Sequence, residues 1–336
     1  MKEAFFYAGT ADAAVQCSLC QHRCRIADGK RGVCGVRENR GGVLYSLVYG
    51  RLVAEHVDPI EKKPLYHFLP GSRSYSIATP GCNFRCPWCQ NWQISEAHGI
   101  RDFARIPAVP PERIAERAVE TRCRSVSYTY TEPTIFMEYA LDVARLSKQS
   151  GLKNVFVTNG YESPEAVQAM TGLIDAANVD LKSFSAERYR RDCGARLDLV
   201  LETIRNLYAA GIHLEITTLI VPDQNDSPGE LRQIAGFVAG LSLDVPWHVS
   251  RFHPQYKVTD RGPTPAATMQ RAVAAGRAAG LRYVYAGNIS LADAHDTVCP
   301  QCGETVIRRG GFGAADCRLN GTRCPRCASE LPIIAE

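Results

Sequence analysis

The sequence predicts an α/β fold in which a full or partial (β/α) barrel of the TIM type carries a small cysteine-rich module at each end. Three observations lead there. Between about residues 74 and 288, seven short apolar runs alternate with segments of helical periodicity, the pattern of repeated βα units around a parallel sheet. No G-x-G-x-x-G turn follows an early strand, as an open doubly wound sheet would be expected to show. The cysteines gather outside that pattern or at its first turn: Cys17, Cys20, Cys24 and Cys34; then Cys82, Cys86 and Cys89; then Cys299, Cys302, Cys324 and Cys327. The division expected is a Cys-rich metal-binding module over 1–70, the barrel over 71–290 and a zinc-ribbon-like module over 291–336.

The strands are expected, in order, at "YSIATP" from Tyr75, "SVSYTY" from Ser125, "NVFVTNG" from Asn154, "NVDLKS" from Asn178, "HLEITTLIV" from His213, "WHVSRF" from Trp247 and "YVYAGN" from Tyr283. Each is mostly β-branched, aromatic or apolar, because a strand covered on both faces has no solvent side. Between them, Leu197, Val200, Leu201, Ile204, Leu207 and Tyr208 recur at helical spacing, with Gly211 placed to end the helix. Leu231, Ile234, Ala235, Val238 and Leu241 repeat the pattern behind Ser227 and Pro228, a natural start. In a parallel barrel the loops after the carboxyl ends of the strands form the functional face. "PGCNFRC", "TEP", "TNG", "DLK" and "VPDQND" all fall there.

Composition narrows the function classes. A net charge of +4 from 39 basic and 35 acidic residues, with no block of like charge, leaves no electrostatic footprint for nucleic acid or an anionic membrane. No apolar run reaches the ~18 residues that span a bilayer, and "MKEAFFYAGTADAAVQ" lacks a signal-peptide core. A cytoplasmic protein is expected, with neither membrane nor nucleic acid as partner. In a reducing compartment 14 cysteines are expected to hold metal or do chemistry, not to form disulfides.

Cys82, Cys86 and Cys89 form C-x3-C-x2-C, tight enough for one loop to offer three thiolates to a four-iron cluster and leave the fourth iron open. An open position marks a catalytic metal rather than a structural one. Gly81 permits the backbone angles of a tight wrap, and Trp88 is placed to shield the cluster or stack on a ligand.

This motif, C-x3-C-x-aromatic-C after the first strand of a βα repeat, resembles that of the radical S-adenosylmethionine (SAM) superfamily. The resemblance implies a [4Fe-4S] cluster whose open iron is chelated by SAM, and reductive cleavage of SAM to a 5′-deoxyadenosyl radical. It also implies cofactor roles by position. Glu132 of "YTEP" stands where relatives carry Gly-Gly-Glu for the methionine ammonium; both glycines are missing, so Tyr130 or Thr131 must compensate by side chain or altered turn. Asp180 and Lys182 resemble a methionine-gripping D-x-K pair, Asn159 a ribose contact, and "LIVPDQND" an adenine-flanking segment. Taken singly, Glu132 also suits a surface salt bridge, Asp180 and Lys182 a rim ion pair, and Asn159 a turn before Gly160; their joint fall on consecutive strand ends favours the cofactor roles.

Over a longer span, "CSLCQHRC", "GVCGVR", "LYSLVYG", "DPIEKKPLYHFLPGS", "TPGCNFRCPWCQN" and "TEPTIF" resemble the AmmeMemoRadiSam system radical SAM enzymes, cousins of the pyruvate formate-lyase activating enzyme. That resemblance implies Memo-like and Ammecr-like pathway partners and a flavodoxin or ferredoxin as electron donor. The radical's target is expected to be a small molecule. A protein glycine, as in the activases, is the alternative, and a non-enzymatic iron–sulfur electron carrier or metal-dependent binding protein is the reading of another class.

Cys299, Cys302, Cys324 and Cys327 make two facing CPxC knuckles, read as a structural zinc ribbon. Cys17, Cys20, Cys24 and Cys34 suit zinc or an auxiliary iron–sulfur cluster equally by ligand type. His22 is expected at the surface, the two lysines of "DPIEKKP" in solvent or on a rim, and Cys123, Cys193 and Cys317 outside any cluster.

Overall fold

In a computed structural model that describes residues 1–311 and 313–336, the core is one eight-stranded sheet. Its strands are β1 (Ala54–Pro59), β2 (Arg73–Ala78), β3 (Ser125–Tyr128), β4 (Lys153–Thr158), β5 (Ala176–Asp180), β6 (His213–Ile220), β7 (Trp247–Arg251) and β8 (Val284–Gly287). They lie side by side in chain order, β2 to β8 all parallel and β1 antiparallel against β2. All seven strands read from sequence are present. β1 is an addition, contributed from within residues 1–70 through the pairing of Ala54 with Ala78 and Pro59 with Arg73. Among the described residues β1 and β8 do not pair with each other, so the sheet keeps two edges and the fully closed barrel is not formed.

Parallel neighbours need a crossover, and helices α1 (Pro111–Glu120), α2 (Met137–Gln149), α3 (Pro164–Met170), α4 (Leu197–Ala209), α5 (Pro228–Leu241) and α6 (Ala266–Ala278) supply six. Strictly sequential strands with right-handed crossovers place these helices on one face. Side-chain caps fix two starts: Ser163 accepts from the Ala166 amide and Ser227 from the Glu230 amide. α4 buries Leu197, Val200, Ile204 and Leu207, each contributing about 1.5–3 kcal/mol by leaving water. Tyr208, placed on that stripe from its spacing, is instead exposed at the helix end, and Leu201 is only half-buried.

The other face of the sheet is covered by the chain itself. Ile60, Leu65, Phe68 and Leu69 pack on Val155 and Ala176. The fully buried Glu215 carboxylate of β6 pins this segment, accepting from the amides of Tyr66 (3.0 Å) and His67 (2.8 Å) and from His248 Nε2 (2.6 Å) and His213 Nε2 (3.2 Å). Burial alone would raise the Glu215 pKa, but the two imidazoles hold it well below the carboxylate range. The C-terminal residues bridge to the same segment, Leu69 N to Ile334 O at 2.7 Å and Ile334 N to His67 O at 2.8 Å.

The flanks are small. Residues 2–46 form two three-stranded antiparallel sheets, tied to α2 by a buried bidentate pair of Arg37 with Glu138 at 2.8 and 3.0 Å. Thr297–Val298, Thr305–Arg309 and Ala314–Cys317 make a third such sheet.

Candidate metal and cofactor centre

The carboxyl ends of β2 to β5 converge as the sequence implied. After β2 the chain turns at Gly81, whose φ of +108° and lack of a side chain are both required. A Cβ there would sit 2.7 Å from Val36 and 3.0 Å from Ile135. The loop then presents Cys82, Cys86 and Cys89 to one cavity of about 590 Å³, walled also by Trp92, Tyr256 and Lys257. Cys82 Sγ accepts from the Phe84 amide at 3.3 Å and from Asn159 Nδ2 at 3.8 Å. N–H groups aimed at sulfur suit a thiolate ligand. Without metal, burial pushes the Cys82 thiol well up, and the charge of Glu132 adds to this.

Glu132 lies behind that loop, 1% exposed. One oxygen accepts from the Thr134 amide (3.1 Å) and hydroxyl (2.6 Å), the other from the Asn159 amide (2.8 Å). Thr158 Oγ1 stands 2.8 Å from Glu132 and 2.6 Å from the equally buried Glu162. A hydroxyl has one hydrogen, so filling both contacts needs a proton on one carboxyl. In agreement, burial and then the Glu162 charge push Glu132 up to about 7.

The missing glycines are replaced by an altered turn. Tyr130 itself takes a φ of +64°, held by Asn91 Nδ2 on its carbonyl (2.7 Å), by its hydroxyl on Asp58, and by Thr131 Oγ1 on the Thr79 carbonyl (2.8 Å). Lys63, expected in solvent or on a rim, is buried: its ammonium meets Asp58 at 2.7 Å and lies over the Tyr130 ring. Burial lowers it to about 8. The charge survives there because Asp58 partners it.

At the end of β5, Asp180 and Lys182 pair at 2.9 Å on one side of the strand. Burial would lower the Lys182 pKa, but Asp180 and the thiols of Cys86 and Cys193 raise it well above its ordinary value. Asn225, from "VPDQND", holds this end in place through the Lys182 carbonyl at 2.8 Å. Trp88 is buried on the Lys182 side, where it lines a small recess with Tyr189 and Cys193 rather than the three-cysteine cavity.

Four residues escaped the sequence reading. Cys193, set aside as unclustered, ends the π-helical turn Tyr189–Cys193 with its sulfur 3.7 Å from that of Cys86. No spacing rule connects residues 107 apart, although a π turn often marks a functional site. Trp92 and Tyr256 stack at 5.1 Å on the cavity wall. His22 is half-buried rather than free in solvent: its Nε2 lies 2.8 Å from the Asn83 carbonyl and its ring packs edge-on against Tyr161.

The C-terminal cysteines are already closed. Cys299, Cys302, Cys324 and Cys327 have all four sulfurs within 4.8 Å of one another, with Cys299–Cys327 and Cys302–Cys324 each at 3.6 Å. That is the size of a tetrahedron around one ion.

Fold and site together describe an α/β protein that gathers three loop cysteines around a cavity at the carboxyl ends of a parallel sheet. The pattern of the Radical SAM superfamily matches residues 76–235, and the chain belongs to that superfamily. It is 42% identical over 337 aligned positions to an uncharacterized protein of Methanocaldococcus jannaschii, covering 99% of this chain and all of that one. It is 29% identical to 7-carboxy-7-deazaguanine synthase of Thermococcus kodakarensis over 42% of this chain and 61% of the relative. To the pyruvate formate-lyase-activating enzyme of Clostridium pasteurianum it is 22% identical, over 51% and 71% respectively. Among the described residues no helix is long and apolar enough to cross a membrane.

Proposed function

We propose that the chain is a radical SAM enzyme that abstracts hydrogen from a small-molecule substrate. The observation that carries this is the single cavity in which three loop thiols stand without a fourth protein ligand of their own motif. The donor set fits the cofactors. Two buried amide atoms beside Cys82, Asn83 Nδ2 and Asn159 Oδ1, have no partner, and a polar ligand such as SAM offers them one. Cys82, Cys86 and Cys89 would hold an iron–sulfur cluster, which when bound beside SAM would supply the electron for reductive cleavage of the sulfonium bond. The chain's own residues orient. Asp180 and Lys182 offer opposite charges to a zwitterion. Glu132 holds the Asn159 backbone so that its amide reaches Cys82. A flavodoxin or ferredoxin is the electron donor, Memo-like and Ammecr-like proteins are pathway partners, and zinc fills the C-terminal four-thiol site. The sheet serves as a partial barrel, and the working place is the cytoplasm.

A small substrate is favoured by a second cavity of about 540 Å³ against the inner face of β6 to β8, reached by Thr217, His248, Ser250 and Arg309. Three buried polar atoms on its walls, Glu61 Oε2, Thr217 Oγ1 and Arg309 Nε, lack partners. The activase reading, with a protein glycine as target, draws on the relatives named as activating enzymes. The test is incubation with SAM and a deuterated cell extract. Deuterium reaching 5′-deoxyadenosine from the small-molecule fraction is the expected result; transfer only from a large protein establishes the activase reading instead.

A further inference from the structure

We propose that Cys17, Cys20, Cys24 and Cys34 hold a second iron–sulfur cluster, not zinc, and that it is the port through which the catalytic centre receives its electron. The electron-port half rests on the radical SAM reading; the metal assignment does not.

The four cysteines line one small cavity. Around a single zinc, with Zn–S bonds near 2.3 Å, thiolates lie about 3.8 Å apart. The C-terminal group meets that condition. Among the described residues no three of the N-terminal sulfurs lie within 4.8 Å of one another, and neither do those of Cys82, Cys86 and Cys89. Neither set therefore has the compact spacing of a single-ion tetrahedron, and thiolates set wider than that suit separate irons.

The spacing is held by the fold. Cys17 N bonds the Cys24 carbonyl at 2.9 Å, fixing one pair through the backbone. The Cys20 loop is moored to the sheet instead, through Gln21 N on the Tyr161 carbonyl at 2.9 Å and a bridge from Cys20 to Glu162. Gly32 lets the loop close on Ile26, whose side chain would lie 3.1 Å from a Cβ at that position. A second observation points to a ligand. Arg37, 2% exposed, reaches the same cavity; its terminal nitrogens are taken by Glu138, but its Nε has no partner. A cluster sulfur or thiolate would accept that N–H and balance its charge.

Position supplies the role. His22 and Val33 line both this cavity and that of Cys82, Cys86 and Cys89, so the two are separated by single side chains. From Cys20 the path runs two residues along the chain to His22, across its 2.8 Å contact to the Asn83 carbonyl, and on to Cys82. In the transfer, a low-potential donor of the flavodoxin or ferredoxin class is oxidised by one electron and the catalytic cluster is reduced by one; no bond is made or broken.

The test compares the full chain, a Cys82→Ser/Cys86→Ser/Cys89→Ser variant and a Cys20→Ser/Cys24→Ser variant, all reconstituted anaerobically with iron and sulfide. Two four-iron clusters predict about eight irons per chain in the wild type and about four in each variant. If the triple variant does not fold, the wild-type count decides. An iron-free triple variant, or a wild type with about four irons and two zincs, overturns the assignment. Electron paramagnetic resonance reads the port. In the Cys20/Cys24 variant, dithionite should still reduce the catalytic cluster, whereas reduction by photoreduced flavodoxin should be lost. An unchanged flavodoxin-driven signal overturns the port while leaving the metal assignment standing. Iron in the triple variant, with no SAM cleavage by the wild type, would refute the enzymatic reading alone.

Discussion

The C-terminal knuckles and the Cys82 loop both gather cysteines, yet they are built in opposite ways. In the first, four sulfurs approach one another to 3.6 Å on two antiparallel turns, and nothing is left open. In the second, three sulfurs stand apart on the walls of a cavity, and their neighbours are N–H donors, a lysine and a further thiol. On the proposed reading, the difference separates a metal that would hold the chain together from one that would be reached by a ligand. It also separates what each would cost to lose.

The largest expected effect is on the closed site. With zinc in that site as proposed, the ion would contribute on the order of 10–16 kcal/mol to folding of such a small unit, so Cys302→Ser should abolish zinc binding and make residues 297–336 protease-sensitive. Iron at the Cys82 loop should remain. Metal analysis with limited proteolysis checks both, and joint loss of zinc and iron would break the proposed independence of the two regions.

A smaller effect sharpens the account of the open site. Because burial and Glu162 raise Glu132 from 4.5 to about 7, the native state binds more protons than the unfolded chain across that interval. Stability must therefore fall as pH rises through it, by on the order of 1–3 kcal/mol. Glu162→Gln removes the second charge and should flatten this slope. Denaturant titrations of the cofactor-free protein at about pH 5 and about pH 8 measure it. A slope unchanged in the variant would mean that the two carboxyls do not share a proton.

The same contrast explains what could be read from the sequence. Seven strands, two helices and both cysteine motifs are local patterns: period, cap and spacing lie within one stretch of chain. Strand β1 was missed because "AEHVDP" mixes charge with apolar residues, as an antiparallel edge strand is free to do. Lys63 was misplaced because its partner Asp58 and the Tyr130 ring meet only in the fold. Cys193 and His22 belong to the same class, since each acquires its neighbour across a long sequence separation. The Gly-to-Tyr exchange at Tyr130 shows the limit of motif reading. Tyr130 takes a left-handed φ without being glycine, held by hydrogen bonds that no motif records.

The central claim is that three thiols of one loop make a reductive SAM-cleaving centre. It is tested most directly by reconstituting the full chain anaerobically, adding dithionite and SAM, and quantifying 5′-deoxyadenosine beside a Cys86→Ala variant. The account predicts product from the wild type and none from the variant. An iron-loaded wild type that yields none, or a variant that yields as much, would contradict it.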